Sequence, residues 1–278
     1  MELNFMILRS LTFIIAKEAM VLPSAILVLL ISSSTLIVTA VTHNILRIAG
    51  GENTTIYKYP HSLFLKLDCG VYPRCGGSVL TQDILLTAAT CFVNCKEPLN
   101  TKVMEVSMGD DYEEFGQIRK IVDFVVHEKH TGAKLANDIA LGKVDIPMRL
   151  GDNVRRIILM KSPPYEPAFV AGWGSISAYE EPSKYLKHMP QHFVNIDECH
   201  KAFGPNRIAD GTFCMENENS RPFEGDSGAA LVVNDYIQIG IVSWGDMKKS
   251  YGKIIYTNIS YHFDWISDNA KKLYCKRF

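Results

Sequence analysis

Neither sign of charge dominates this chain, which sets 29 lysines and arginines against 30 aspartates and glutamates over 278 residues. The basic surface that a nucleic-acid partner requires is therefore not indicated. Internal repeats and low-complexity segments are absent beyond residue 47, which excludes a solenoid array. No helical periodicity is interleaved with the apolar runs before residue 260, so an alternating β/α chain is excluded as well. The acidic group Asp110, Asp111, Glu113 and Glu114 lacks the spacing of an oxygen cage and reads as a solvated loop. No metal and no cofactor are expected.

What is present is apolar residue in quantity, 47% of the chain, enough to bury a sizeable core. Short β-rich runs recur between Gly, Pro and Asn: Ser62–Leu67, Gly77–Leu80, Ile84–Thr87, Ile118–Val126, Ile139–Val144, Ala168–Ala171, Ala229–Val233, Ile237–Ser243 and Ile254–Thr257. Many short strands with turn signals predict an all-β sandwich or barrel. Only the end differs. From Ser260 to Tyr274, Phe263, Ile266, Ala270 and Leu273 fall at helical intervals and predict a closing amphipathic helix, with Lys271, Lys272, Lys276 and Arg277 on its solvated face.

The first 47 residues read as something other than fold. Val21 to Val41 is an apolar run ending in Val38-Thr39-Ala40, a small-residue pattern that signal peptidase cuts, and Met20 stands directly before it. A start at Met20 makes residues 20–40 a signal peptide, residues 1–19 an extension or a misplaced start, and residues 41–47 a short propeptide. Translated from Met1, with Arg9 and Lys17 ahead of the run, the same segment is long enough to be a membrane anchor. The first alternative makes the protein secreted, the second membrane-anchored. Seven cysteines behind such a segment point to an oxidising compartment.

The Gly225-Asp226-Ser227-Gly228 turn precedes the apolar run Ala229–Val233. Taken alone it is either a polar surface turn or an acyl-transfer site, in which glycines let two N–H groups converge beside a serine. Arg47-Ile48-Ala49-Gly50-Gly51, Leu86-Thr87-Ala88-Ala89-Thr90-Cys91, Asn137-Asp138-Ile139-Ala140-Leu141, Ala171-Gly172-Trp173-Gly174 and Gly240-Ile241-Val242-Ser243-Trp244-Gly245 stand ahead of and behind it. In this order, from about Arg47 to Trp265, they resemble the trypsin/chymotrypsin-like serine proteases. The resemblance implies two Greek-key six-stranded β-barrels packed together with a C-terminal α-helix, spanning residues 48–278.

It also implies roles. Ser227 and Asp138 match the nucleophile and the orienting aspartate, Gly225 and Ser227 the oxyanion donors, and Arg47, Ile48 and Asp226 an activation cleavage whose new amine pairs with a buried carboxylate. A trypsin-like protease cutting at Arg47 would be the activating partner. Cys75 would pair with Cys91 and Cys199 with Cys214, while Cys69 and Cys95 could bridge neighbouring loops and leave Cys275 over. Phe223 stands where the family has a further cysteine, and no cysteine lies between Trp244 and Tyr256 to pair with one. Ser243, Trp244 and Gly245 match the strand that pairs with substrate backbone. Arg221, at the base of the specificity pocket, would repel basic side chains, favour acidic ones or fill the pocket itself, and Ile254 would narrow it. Asn53 and Asn258 are glycosylation sequons.

One motif is broken: the catalytic histidine is Thr90. A threonine hydroxyl does not accept a proton near neutral pH, so Ser227 lacks its base. His127, His130, His188, His192, His200 and His262 lie in other segments and read as packing or surface histidines. The implied function is a serine protease homologue without peptidase turnover that binds an extracellular protein or peptide. The alternative is an endopeptidase whose base comes from substrate or partner. Asp138, without an imidazole, needs donors, and the Thr90 and Ser243 hydroxyls are expected to supply them. Sequencing the N-terminus of the secreted protein should find residues 1–40 gone; a mature chain that keeps residues 1–19 overturns the assignment of Met20 as the start.

Overall fold

The computed structural model describes residues 51–69, 73–93, 95, 104–131, 136–175, 181–204, 207–217, 220–245 and 252–276. Residues 1–50, with the signal and activation segments read above, lie outside these. Strand β1 (Glu52–Asn53) is followed by β2 (Ser62–Leu67), β3 (Arg74–Val79), β4 (Ile84–Thr87), β5 (Met104–Met108), β6 (Gln117–Val126) and β7 (Ala140–Val144). The last six close into an antiparallel barrel in the order β2-β3-β4-β7-β6-β5. After β8 (Ile158–Leu159) come β9 (Ala168–Gly172), β10 (Lys187–Phe193), helix α1 (Ile196–Phe203), β11 (Thr212–Glu216), β12 (Ala230–Val233), β13 (Ile237–Trp244), β14 (Lys253–Asn258) and helix α2 (Phe263–Cys275). Strands β9-β10-β11-β14-β13-β12 form a second ring, closed by the β10–β9 pairing, with β1 added to β10 and β8 to β13. The all-β class, the two six-stranded barrels and the terminal helix are thus as the resemblance implied.

The apolar runs became strands because alternate or continuous apolar residues fill the barrel interiors. Leu63, Leu65, Leu85, Val106 and Leu141 pack in the first, and Val170, Leu231, Ile239 and Tyr256 in the second. Helix α2 lays Ile266 and Leu273 onto the first barrel core, with Phe263 and Ala270 partly covered. Lys271 and Lys272 face solvent, but Lys276 is not merely solvated: its Nζ lies 2.7 Å from the Asp123 carboxylate.

Helix α1 corrects the expectation that helix is confined to the chain end. Its eight residues are too short to show much period, yet its ends are well marked. The Asn195 side chain accepts from the Asp197 N–H, Asp197 and Glu198 sit in the first turn, and Gly204 follows at φ 82°. Strand β10 was missed because it contains Pro190, which donates no ladder hydrogen bond and argues against a strand.

Disulfides join Cys75 to Cys91, Cys199 to Cys214 and Cys69 to Cys95, while Cys275 is free and exposed. The barrels meet around the Gly225–Gly228 turn. The Gly76 N–H donates to the Ser227 carbonyl at 2.8 Å from one side, and the Gly228 N–H donates to the Val242 carbonyl at 2.8 Å on the other. Gly228 has φ 89°, and a Cβ there would lie 2.1 Å from Thr87 Oγ1 and 2.4 Å from the Gly76 oxygen. Gly204→Ala, at φ 82° and ψ 144° with open space, should therefore cost about 1–3 kcal/mol in urea denaturation. Gly228→Ala should cost on the order of 3 kcal/mol or more, because the clash adds to the strain.

Candidate active site

Three loops bring the read residues together at the barrel seam. Thr90 lies in the 3-10 turn Ala89–Cys91 after β4, Asp138 just ahead of β7, and Ser227 in the turn before β12. Asp138 has no exposed surface. Its Oδ1 accepts the Thr90 backbone N–H at 2.8 Å. Its Oδ2 accepts the Ser243 hydroxyl at 2.6 Å and, less closely, the Thr90 hydroxyl at 3.4 Å. Both expected donors are present, with the Thr90 main chain added to them. Ser243 can reach because the register of β13 against β14 shifts between Val242 and Trp244, a bulge that frees Ser243 to turn toward the first barrel. Burial raises the Asp138 pKa, against the pull of the Ser243 hydroxyl, the Thr90 N–H and the charge that His130 carries when protonated.

The Ser227 hydroxyl makes no hydrogen bond to a described side chain or carbonyl. The N–H groups of Gly225 and Ser227 likewise donate to no described backbone acceptor. With Gly225 at φ 98°, neither N–H has a backbone acceptor among the described residues, as the oxyanion role read for them requires. Ser227, Thr90, Phe223, Val242, Trp244 and Ile254 border one cavity of about 250 Å3. Ser243 and Gly245 also line it, so the strand read as substrate-pairing does run beside the serine. Ile254 narrows the space: a Cβ on Gly245 would lie 2.3 Å from its Cδ1. Arg221 is not among the lining residues; its guanidinium stands over the Phe223 ring at 5.3 Å. Glu224 also lines the cavity, so among the described lining residues the charged one is acidic where a cation was anticipated, beside the apolar Pro222, Phe223, Val242, Trp244 and Ile254.

Asp226 supports the turn from below. Its Oδ1 accepts the Gly174 N–H at 2.8 Å and its Oδ2 the Phe223 N–H at 3.0 Å. Gly174 is required by this approach, since a Cβ there would lie 2.3 Å from the carboxylate carbon. Burial pushes Asp226 up from 3.8 to about 6, because two N–H groups offset only part of the lost hydration.

His130 is the neighbour that sequence reasoning passed over. Its Nδ1 contacts the Ala136 carbonyl at 3.1 Å, and its Nε2 is buried with no hydrogen-bond partner among the described residues. Its only sequence signal was its place in the loop that leads to Asp138. His127 and His262 do pack, ring against ring at 5.5 Å, with His127 stacked on Trp265. The acidic loop is not simply solvated: Glu113 is buried against Arg74, and Asp111 Oδ1 accepts the Ile56 N–H at 2.5 Å. Among the described residues no group of His, Cys, Asp or Glu is arranged to hold a metal. Of the two sequon asparagines, Asn53 is exposed, whereas Asn258 is half-buried and its Oδ1 accepts from Tyr261 at 3.2 Å.

Asp226 carries a pH signature. Unfolded, an aspartate titrates near 3.8; folded, Asp226 titrates near about 6. Between those values the folded chain holds a proton that the unfolded chain lacks. The uncleaved protein should thus gain stability, by about 3 kcal/mol from this group, as pH falls from above 6 toward 4. If cleavage after Arg47 supplies an ammonium to Asp226, the cleaved form should lose that gain in chemical denaturation across the same window.

Comparison with known proteins agrees with the geometry. The chain matches the Trypsin family model over residues 48–266. It is 31% identical to hypodermin-B of Hypoderma lineatum over 233 residues, which cover 81% of this chain and 88% of that protein. A trypsin of Sarcophaga bullata is 30% identical over 237 residues, covering 82% and 90%. Transmembrane protease serine 11G of Mus musculus is 31% identical over 239 residues, 81% of this chain but 56% of that longer protein. No helix among the described residues is long and apolar enough to cross a membrane. In solved structures, the scabies mite inactivated protease paralogue S-D1 shares the fold at TM-score 0.72 and 23% identity, covering 81% of this chain and 97% of its own. Mouse neuropsin does so at TM-score 0.68 and 23% identity, covering 79% and 98%. With the family model spanning both barrels and a fly relative above 30% identity, the chain belongs to the trypsin family of serine proteases.

Proposed function

We propose that this trypsin-family chain is a secreted serine protease homologue that binds peptide without hydrolysing it. One observation carries the proposal: the residue bonded to Asp138 at the base position is Thr90, and the Ser227 hydroxyl has no acceptor among the described residues to take its proton. Acyl transfer by serine without a base retains only a residual rate, roughly 10³–10⁴ over water, from the oxyanion donors and binding. The fold tolerates such a loss, since one of its solved members is described as an inactivated protease paralogue. Paired cysteines and the apolar segment at residues 21–41 support secretion. Processing at Arg47 is supported by the buried Asp226 carboxylate, which two N–H groups leave undercompensated.

The cleft retains the means of binding. An extended peptide can pair with the Ser243–Gly245 edge and place one side chain in the cavity beyond it. That space is lined by Phe223, Val242 and Ile254, with Glu224 also on its wall, and is constricted against Gly245, so it suits a small or medium side chain with an apolar body and no negative charge. A second proposal, a conditionally active endopeptidase, is favoured by the built oxyanion turn and by the intact Ser243–Asp138 bond. The two are separated by phosphonate labelling of Ser227, read by intact mass. Wild type should remain unlabelled while Thr90→His is labelled at least about 10²-fold faster; labelling of wild type at a comparable rate overturns the inert assignment.

A further inference from the structure

Thr90 and Ser227 border the same cavity of about 250 Å3, and neither hydroxyl is well used. Thr90 Oγ1 lies 3.4 Å from Asp138 Oδ2, a long contact beside the 2.6 Å bond from Ser243, and Ser227 Oγ has no partner among the described residues. Resting on the peptide-binding proposal above, we infer that this gap is a binding site for an imidazole, carried into it as the histidine side chain of a bound peptide.

The chemistry of the lining selects that guest. The lining offers an acceptor at the Thr90 hydroxyl, a donor at the Ser227 hydroxyl and a carboxylate at Glu224. A neutral imidazole donates from one nitrogen, accepts at the other, and is the side chain that can take a proton near pH 7, with Glu224 at hand to favour the imidazolium that results. Asp138 itself does not border the cavity, but Thr90 does. The guest N–H therefore donates to Thr90 Oγ1, whose own proton stays directed at Asp138 Oδ2. This fixes the guest tautomer, so the other ring nitrogen faces Ser227. Asp138 already accepts from the Thr90 N–H and from the Ser243 and Thr90 hydroxyls, so a guest that donates to Thr90 Oγ1 extends this network without displacing a bond.

His130, whose charge acts on Asp138, does not substitute. His130 is held by the Ala136 carbonyl at 3.1 Å, its Nε2 is buried, and it is not among the cavity-lining residues. With a guest in place the step balances. The Ser227 proton passes to the guest nitrogen as Oγ bonds to the carbonyl carbon, and the carbonyl electron pair moves to the oxygen held by the Gly225 and Ser227 N–H groups. The C–N bond then breaks, the guest's proton goes to the leaving amine, and water releases the acyl group by the same route. Thr90 is a positioning residue in this scheme, and the histidine-bearing peptide is the conditional substrate.

The test uses the full chain, before and after cleavage by a trypsin-like protease, with Ser227 labelling by a serine-directed phosphonate as the readout. Free imidazole should accelerate labelling saturably, by about 10²-fold. N-methylimidazole, which accepts a proton but has no N–H to donate, should give almost none of this. Thr90→Val, which keeps the volume and removes the hydroxyl, should abolish the acceleration, and Thr90→Ser should retain it. An apolar-anchored peptide carrying histidine beside the anchor should then be cut where its glutamine counterpart is only bound. Absence of any imidazole effect, or an equal non-saturating effect of N-methylimidazole, overturns the guest site, whatever Thr90→His does. Binding of the glutamine peptide, measured separately, decides the peptide-binding proposal. Labelling of wild type without imidazole, lost in His130→Gln, overturns both the guest and the inert assignment by revealing an internal base.

Discussion

A carboxylate with no exposed surface stands at the seam between the two barrels, and much of the local structure exists to satisfy it. Asp138 draws its donors from both sides: the Thr90 main chain and hydroxyl from the first barrel, the Ser243 hydroxyl from the second. Its own carbonyl accepts from Thr257, again across the seam, at 2.9 Å. An unpaired buried acceptor costs about 1–3 kcal/mol, and a charged one more, so these contacts hold the barrels in one relative position as well as one side chain. This explains how the aspartate persists where the imidazole does not. Replacing it would orphan a buried N–H and a buried hydroxyl that now depend on it.

A second buried carboxylate shapes the nucleophile turn. Asp226 is gripped by the Gly174 and Phe223 N–H groups, and the turn above it is fixed to β3 through Gly76 and to β13 through Val242. The Asp226 system, unlike that of Asp138, makes no contact with Thr90. Positioning of Ser227, the free N–H groups beside it and the peptide-pairing edge all rest on backbone hydrogen bonds and close glycine contacts, none of which involves the residue at position 90 side chain. On the proposed reading, threonine in place of an imidazole subtracts proton transfer and leaves the contacts that hold the Ser227 turn in place. The Cys199–Cys214 disulfide remains behind that scaffold, and Phe223 fills with apolar surface the place of the family's further cysteine.

Much of this was legible in order along the chain. Period-two and continuous apolar runs gave β2, β4 and most of β6, β7, β12 and β13, because a barrel interior is filled from alternate positions. Segments that pair chiefly through their backbone were harder to see. Strand β10 holds Pro190, and β11 mixes Thr, Cys and Glu with its apolar residues. Helix α1 declared itself through its caps rather than through its period. At the site, the identities of Ser227, Asp138 and Thr90 and the need for hydroxyl donors to Asp138 followed from residue chemistry alone. The bulge that delivers Ser243 did not.

By itself the sequence determined the family, the missing base, and the apolar narrowing at Ile254, because each depends on which atoms a residue carries. Only the tertiary structure decided where long side chains went. Arg221 has several rotatable bonds and found the face of Phe223 instead of the cavity, and Glu113 found Arg74 instead of solvent. It also set the charge of His130 to act on Asp138 and left its Nε2 buried without a partner among the described residues. Placement of this kind is a competition among distant partners for the same buried volume, and such partners become neighbours only after the chain has closed its barrels.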